Sequence, residues 1–181
     1  MLFPLKFRPK ESYHEAPRNF GARRDHGHRK HAGCDLYAPV GTEVRAVADG
    51  KILAVYFFYD NSWAVEVDHG DFIVRYGEVS KDIPGTVMPG RNVSAGQIVG
   101  KVGHLAHLHQ SMLHFEMYSG KVSGALTDRS RKPFMRRSDL LDPTAYLDTA
   151  LLDSGAISAD APLTVWPWFR MGAPPDLPPW L

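Results

Sequence analysis

Among 181 residues the chain has one cysteine, Cys34, so no disulfide can form within it and its stability has to come from packing. Long apolar runs are missing as well. The opening stretch Met1-Leu2-Phe3-Pro4-Leu5-Lys6 is too short to act as a secretory leader, and no later segment approaches the roughly 18 apolar residues of a membrane helix. Nor is there an excess of one charge: 21 Lys and Arg against 20 Asp and Glu leave a net +1, far from the basic surplus that a nucleic-acid backbone demands. Together these absences argue against a disulfide scaffold, a membrane span and a nucleic-acid binder. They leave the cellular compartment open, with a cleaved leader or a specialised secretion route as the expectation for any work outside the cytoplasm.

What is present is an ordinary globular composition, 44% hydrophobic and 23% charged, in a chain long enough for one domain with a real core. Residues 1–30 are rich in Arg, His, Gly and Pro without a sustained period, and are expected to pack as an opening segment on a domain spanning 31–153. Residues 154–181 form a Pro- and Trp-rich tail that has no period. Two basic stretches, 23–30 and 129–137, stand out locally; they read as solvated loops, with contact to a polyanionic polymer as the functional alternative.

From about Asp35 the pattern is β. Residues 42–47 alternate, 51–58 form a β-branched and aromatic run, and 63–67 and 72–76 flank Asp68-His69-Gly70-Asp71, a turn in which His69 reads as a turn residue and Gly70 can take a positive φ. Pro84-Gly85 and Pro89-Gly90 mark a loop, 93–103 reads as a turn plus a short strand, and 113–118 alternate so that His114 and Glu116 share one face. Short strands at close spacing predict a mainly β fold, a small antiparallel sheet or sandwich, with one helix over 142–152 capped by Asp142 and started by Pro143.

The chemistry-bearing residues are His31 and Asp35, in Arg29-Lys30-His31-Ala32-Gly33-Cys34-Asp35-Leu36, and His114, in Ser111-Met112-Leu113-His114-Phe115-Glu116. Two nitrogens and a carboxylate from separate segments can fill three corners of a zinc tetrahedron and leave the fourth for water. Cys34 should point away from Asp35, because neighbours in an extended segment face opposite sides, and reads as a small buried apolar residue. Ser111 lies near His109 without the strained turn of a serine nucleophile.

Over residues 20–118 the chain resembles the LytM/lysostaphin family of zinc metallopeptidases, which cut peptide cross-links of bacterial peptidoglycan. The resemblance rests on His31-Ala32-Gly33-Cys34-Asp35, on Ala38-Pro39-Val40-Gly41-Thr42-Glu43-Val44-Arg45-Ala46-Val47-Ala48-Asp49-Gly50, and on Val67-Asp68-His69-Gly70, Gly96-Gln97-Ile98-Val99-Gly100-Lys101-Val102-Gly103 and Leu113-His114-Phe115-Glu116, in that order. It implies Zn2+ on His31, Asp35 and His114, a groove on an antiparallel sheet, and a peptidoglycan peptide as substrate in the periplasm or cell wall. A delivered antibacterial effector or phage-type lysin, with an immunity or delivery partner, follows as an expectation from the missing leader.

Two positions depart from the family pattern. Where the family has a His-x-His motif this chain has Met112-Leu113-His114, and where it has Tyr-x-His this chain has Tyr76-Gly77-Glu78. Glu78 can serve as general base, whereas the Met112 thioether carries no proton to give and is expected to pack. The loop His104-Leu105-Ala106-His107-Leu108-His109 offers three histidines, of which His109 is the candidate to shuttle a proton or steady an oxyanion; exposed polar filler is the bland reading. His14, His26 and His28 read as surface residues, and Arg18 and Asn19 as contacts for a substrate or as loop capping. Two other readings stay open: a catalytically degenerate module that binds peptidoglycan or regulates another wall hydrolase, and a closed structural site with Glu78 as a fourth metal ligand.

Overall fold

The alternating stretches build the centre of the molecule. A computed structural model describes residues 1–153; the tail read at 154–181 lies outside the described residues. In chain order the elements are β1 (Arg23–Arg24), a 3-10 turn (Asp25–Gly27), β2 (Arg29–Lys30), β3 (Cys34–Tyr37), β4 (Glu43–Arg45), β5 (Gly50–Tyr59), β6 (Ser62–Asp68), β7 (Ile73–Val79), β8 (Asn92–Val93), β9 (Ile98–Lys101), β10 (Met112–Tyr118), β11 (Leu140–Leu141) and α1 (Thr144–Thr149). Seven strands form one antiparallel sheet in the order β11-β10-β7-β6-β5-β8, with β3 also paired to β10; β1 pairs with β2, and β4 with β9. The fold is mainly β and antiparallel with one short helix, as the pattern predicts.

Strands β5 to β7 follow from their density of β-branched and aromatic residues. The turn between β6 and β7 contains Gly70 at φ +88, a left-handed conformation that glycine adopts without a Cβ penalty. His69 serves this turn: Nδ1 bonds the Asp49 carbonyl at 3.0 Å, and Nε2 meets the Tyr76 hydroxyl at 3.2 Å. One face of the sheet presents Val65, Val67, Val74, Tyr76, Leu113 and Phe115 to a fully buried core. Phe3 and Leu5 from the opening segment and Leu147 from α1 enter the same core, so chain on both sides of the sheet strands covers that face.

The helix is shorter than the pattern predicts. Asp142 accepts a 2.9 Å hydrogen bond from the Thr144 amide, but the cap falls one residue later than expected, at Pro143, whose side chain makes no capping bond; the helix ends at Thr149 and Ala150 is extended, at φ −64 and ψ 139. The reason is tertiary: Leu151 pairs with Leu2, and the Arg8 guanidinium donates to the carbonyls of Leu147 and Ala150 at 2.8 Å, taking up acceptors that another helical turn would use. The pattern over 42–47 also shortens. Pairing with β9 slips between Val44 and Arg45, and the Val47 amide goes to the Tyr76 hydroxyl at 3.0 Å.

Gly33 lets the segment that carries His31 lie against β10. A Cβ there would come within 2.3 Å of the Phe115 carbonyl oxygen and 2.9 Å of its carbon, both backbone atoms that cannot swing aside. Gly33→Ala is therefore expected to destabilise the fold by roughly 1–3 kcal/mol, read as a lower urea midpoint at unchanged slope.

Candidate active site

Sheet register assembles the site. His114 on β10 stands directly across from Asp35 on β3 on one side and from Gly77 on β7 on the other, which puts Glu78 next to the same spot. His31, four residues before Asp35, is held by backbone bonds of its segment to Gly21 and Ala22, both at 2.9 Å. The result is a buried trio in which His31 Nε2, Asp35 Oδ1 and His114 Nδ1 lie 2.8 to 3.1 Å from one another. Among the described residues these three side chains are the group whose donor atoms converge closely enough to share a metal ion.

The trio's outward contacts fix which atoms face inward. His31 Nδ1 donates to the Asn19 carbonyl at 2.9 Å, and His114 Nε2 donates to Glu116 at 2.8 Å, so each neutral imidazole turns a lone pair toward Asp35. Three lone pairs then point at one another in a buried place, an arrangement that requires a positive charge between them. Two imidazole nitrogens and a carboxylate oxygen, each imidazole backed by a hydrogen-bond acceptor, make a donor set that zinc accepts. With protons alone, His114 takes the charge: burial opposes it, yet the hydrogen bonds to Asp35 and Glu116 win and push its pKa up to about 9. Burial lowers that of His31, and the Asp35 carboxyl is held well below the usual range because the two imidazoles outweigh its burial.

A second charged layer lies beneath the trio. Glu66, Arg75 and Glu116 sit opposite one another on β6, β7 and β10, forming one row across the sheet. Arg75 donates to Glu66 at 2.9 Å and to Glu116 at 2.8 Å; Arg136, from the segment after β10, grips the Glu116 carboxylate with Nε and NH2 at 2.8 and 2.7 Å. Burial would push the Glu116 carboxyl up, but Arg75, Arg136 and His114 together hold it well below its ordinary value. Glu116 is thus a permanent anion that orients His114. Its shared face with His114 was legible in the sequence, while the supporting arginines were not, because a cross-strand row exists only once the register is known.

Glu78 is held in strain and left unsatisfied. Its φ is +62, in the left-handed region unusual for a side-chain-bearing residue, it is 8% exposed, and its Oε2 is buried without a hydrogen-bond partner. Burial pushes its pKa up to about 7, against the pull of the charged His114 and with a further push from Asp35. A buried acceptor left unpaired costs about 1–3 kcal/mol, which marks the position as one the fold maintains for a partner.

Glu78 and the trio open onto a groove of about 940 Å³, also lined by His109, Met112, Tyr37 and the aromatic run Tyr56-Phe57-Phe58-Tyr59. Phe58 stacks on His114 with ring centres 6.0 Å apart. Of the loop histidines, His109 faces this groove, His104 lines a neighbouring cavity of about 310 Å³, and His107 is tied to Asp60 at 2.6 Å. Met112 is buried. Cys34 is fully buried in the core, bonds Thr144 at 3.6 Å and has its thiol pushed up to about 11 by burial. Arg18 is spent on the Ser12 carbonyl at 2.8 Å and on the Tyr37 ring, so it is not free for a substrate; Asn19 works through its backbone carbonyl on His31. His14 is paired with Asp148 at the surface.

Residues 29–126 match the model of Peptidase family M23. Among curated proteins, the chain is 32% identical over 118 residues to the peptidoglycan DD-endopeptidase ShyC of Vibrio cholerae, covering 62% of this chain and 25% of that one. It is 31% identical over 115 residues to ShyA of the same organism, covering 60% and 26%. The chain thus spans about a quarter of the length of these relatives. Among solved structures, the catalytic domain of the antimicrobial peptidase lysostaphin from Staphylococcus simulans superposes with a TM-score of 0.55 at 25% identity, covering 72% of this chain and 90% of that domain. LytU shares the fold, with a TM-score of 0.57 at 20% identity over 76% of this chain and 86% of the other. The match extends over more than half of the sequence and includes every residue of the buried trio, and the chain belongs to Peptidase family M23.

Proposed function

We propose that the chain is a zinc-dependent endopeptidase that hydrolyses peptide cross-links of bacterial peptidoglycan in the periplasm or cell wall. Family membership and the names of the curated relatives support a cell-wall hydrolase. The observation that carries the catalytic reading is the unpartnered, strained Glu78 carboxylate beside three converging lone pairs at the floor of an open groove.

His31, Asp35 and His114 would hold the metal, with Asn19 and Glu116 fixing the two rings. When bound, zinc supplies Lewis-acid polarisation of the scissile carbonyl and acidifies water to a pKa of about 7. Glu78 accepts the proton of the attacking water; its raised affinity for protons lets it hold that proton and return it to the departing amine. His109, at the groove lining, donates to the oxygen that gains charge as the carbonyl is attacked. Glu78 lies outside the group of converging donors, which favours an open metal position over a fourth protein ligand.

The test is incubation with defined cross-linked muropeptides, with and without chelator, with products read by mass. A new amine and acid that vanish with chelator are expected; intact muropeptides in both arms would point instead to a binding or regulatory module, the reading favoured by Met112 and Glu78 at the two departing positions.

Glu78→Gln is expected to lower kcat by about 10²–10⁴-fold. Because the base works only when deprotonated, kcat/KM should rise with pH through a midpoint at or below about 7, a bound cation drawing the carboxyl down from its metal-free value, and this limb should disappear in the variant. Unchanged turnover in both His109→Ala and His107→Ala would remove the loop from catalysis. Glu116→Gln, which weakens the acceptor behind His114, is expected to reduce zinc affinity about 10- to 100-fold in a chelator competition.

A further inference from the structure

The two basic stretches, separated by about a hundred residues of sequence, form one surface. The Lys30 amide donates to the Pro133 carbonyl at 2.9 Å, and Phe20 stacks on Phe134 with ring centres 4.9 Å apart, docking the segment after β10 on the β1–β2 hairpin. Together they line the active-site groove with five arginines, Arg23, Arg24 and Arg29 from the hairpin and Arg129 and Arg136 from the later segment. The carboxylates lining the same groove are Asp25, Asp35 and Glu78.

Two of these arginines have their charge matched: Arg24 donates to Asp35 Oδ2 at 3.1 Å, and Arg136 holds Glu116. The side chains of Arg23, Arg29 and Arg129 have no hydrogen-bond or ion-pair partner among the described residues, and Arg29 is half-buried in that state. Across the whole chain the charges nearly cancel, so the surplus is a property of this groove and not of composition. Arg24 joins the surplus to the catalytic trio, since it bonds Asp35 while its strand neighbour Arg23 stays free. A guanidinium presents a planar fork that fits a carboxylate with two hydrogen bonds, and a groove lined by one sign of charge gathers ligands of the other.

We propose that Arg23, Arg29 and Arg129 form a carboxylate-binding wall that selects cross-linked peptides bearing a free carboxylate near the scissile bond over the same peptides with that group amidated. The assignment rests on the endopeptidase reading and names its substrate class. The three arginines determine specificity, while Glu78 and the trio act on the bond. Their free forks take up the substrate carboxylate, and its negative charge offsets a groove that is more positive still once a divalent cation is held.

The experiment uses the full chain with zinc and a synthetic cross-linked stem-peptide dimer in two forms, carboxylates free or carboxylates amidated. The expected result is kcat/KM at least about tenfold higher for the acid form, with that ratio falling toward one in Arg29→Ala and Arg129→Ala and retained in part in Arg29→Lys. Added salt should shrink the ratio. Lys121→Ala, an exposed basic residue away from the groove, should leave the ratio unchanged. Equal kcat/KM for the two dimers would overturn the wall and leave the endopeptidase intact. If neither dimer is cleaved, the endopeptidase reading fails, and calorimetric titration with the same dimers decides the wall alone. Tighter binding of the acid form, lost in the two alanine variants, upholds it, and equal binding refutes it.

Discussion

Three lone pairs brought to one point inside a protein repel one another, and the rest of this structure is arranged around that repulsion. His31 and His114 cannot rotate away, because each is held from behind by an acceptor, the Asn19 carbonyl and the Glu116 carboxylate. Asp35 is held from behind by Arg24. The hydrogen bonds to Asp35 and Glu116 favour a proton on His114 against its burial, and a cation held by the trio would have to displace that proton. The buried row of Glu66, Arg75 and Glu116 belongs to the same device: an anion under His114 fixes its ring, and two arginines keep that anion ionised where burial would neutralise it.

The sheet was legible where its residues have a period. The β-branched and aromatic runs that became β5, β6 and β7 and the alternation of β10 are strong enough to give strand and turn, including Gly70 with its positive φ and the shared face of His114 and Glu116. Period fails at the ends. Phe3 and Leu5 are two apolar residues beside a proline, too few to reveal that they fill the core, and the stop of α1 at Thr149 depends on Leu2 and Arg8, almost the full described length away.

The candidate site divides the same way. Spacing and ordered motifs picked out His31, Asp35 and His114, and the structure brings them together. Glu78 was visible as a carboxylate in an unusual position, but its strain and its unpaired oxygen are tertiary properties. Arg24, Arg75 and Arg136 could not be found in one dimension, because a charge run on a string of residues looks like a solvated face until its neighbours are known. The stretches 23–30 and 129–137 illustrate this: each alone reads as a loop, and only the contact between Lys30 and Pro133 turns them into one surface.

The meeting of Leu2 with Leu151 draws the two sides of the described chain onto one core. The region recognisable by family runs from 29 to 126, yet a fragment trimmed to it would lose Phe3, Leu5 and Leu147, leaving one side of its core open to water, and would shed Arg136 from beneath the histidine. The buried core therefore extends beyond the family-matched stretch on both sides. Leu2 and Leu151 thus close the described core like a clasp, and loosening either side would expose the same apolar face.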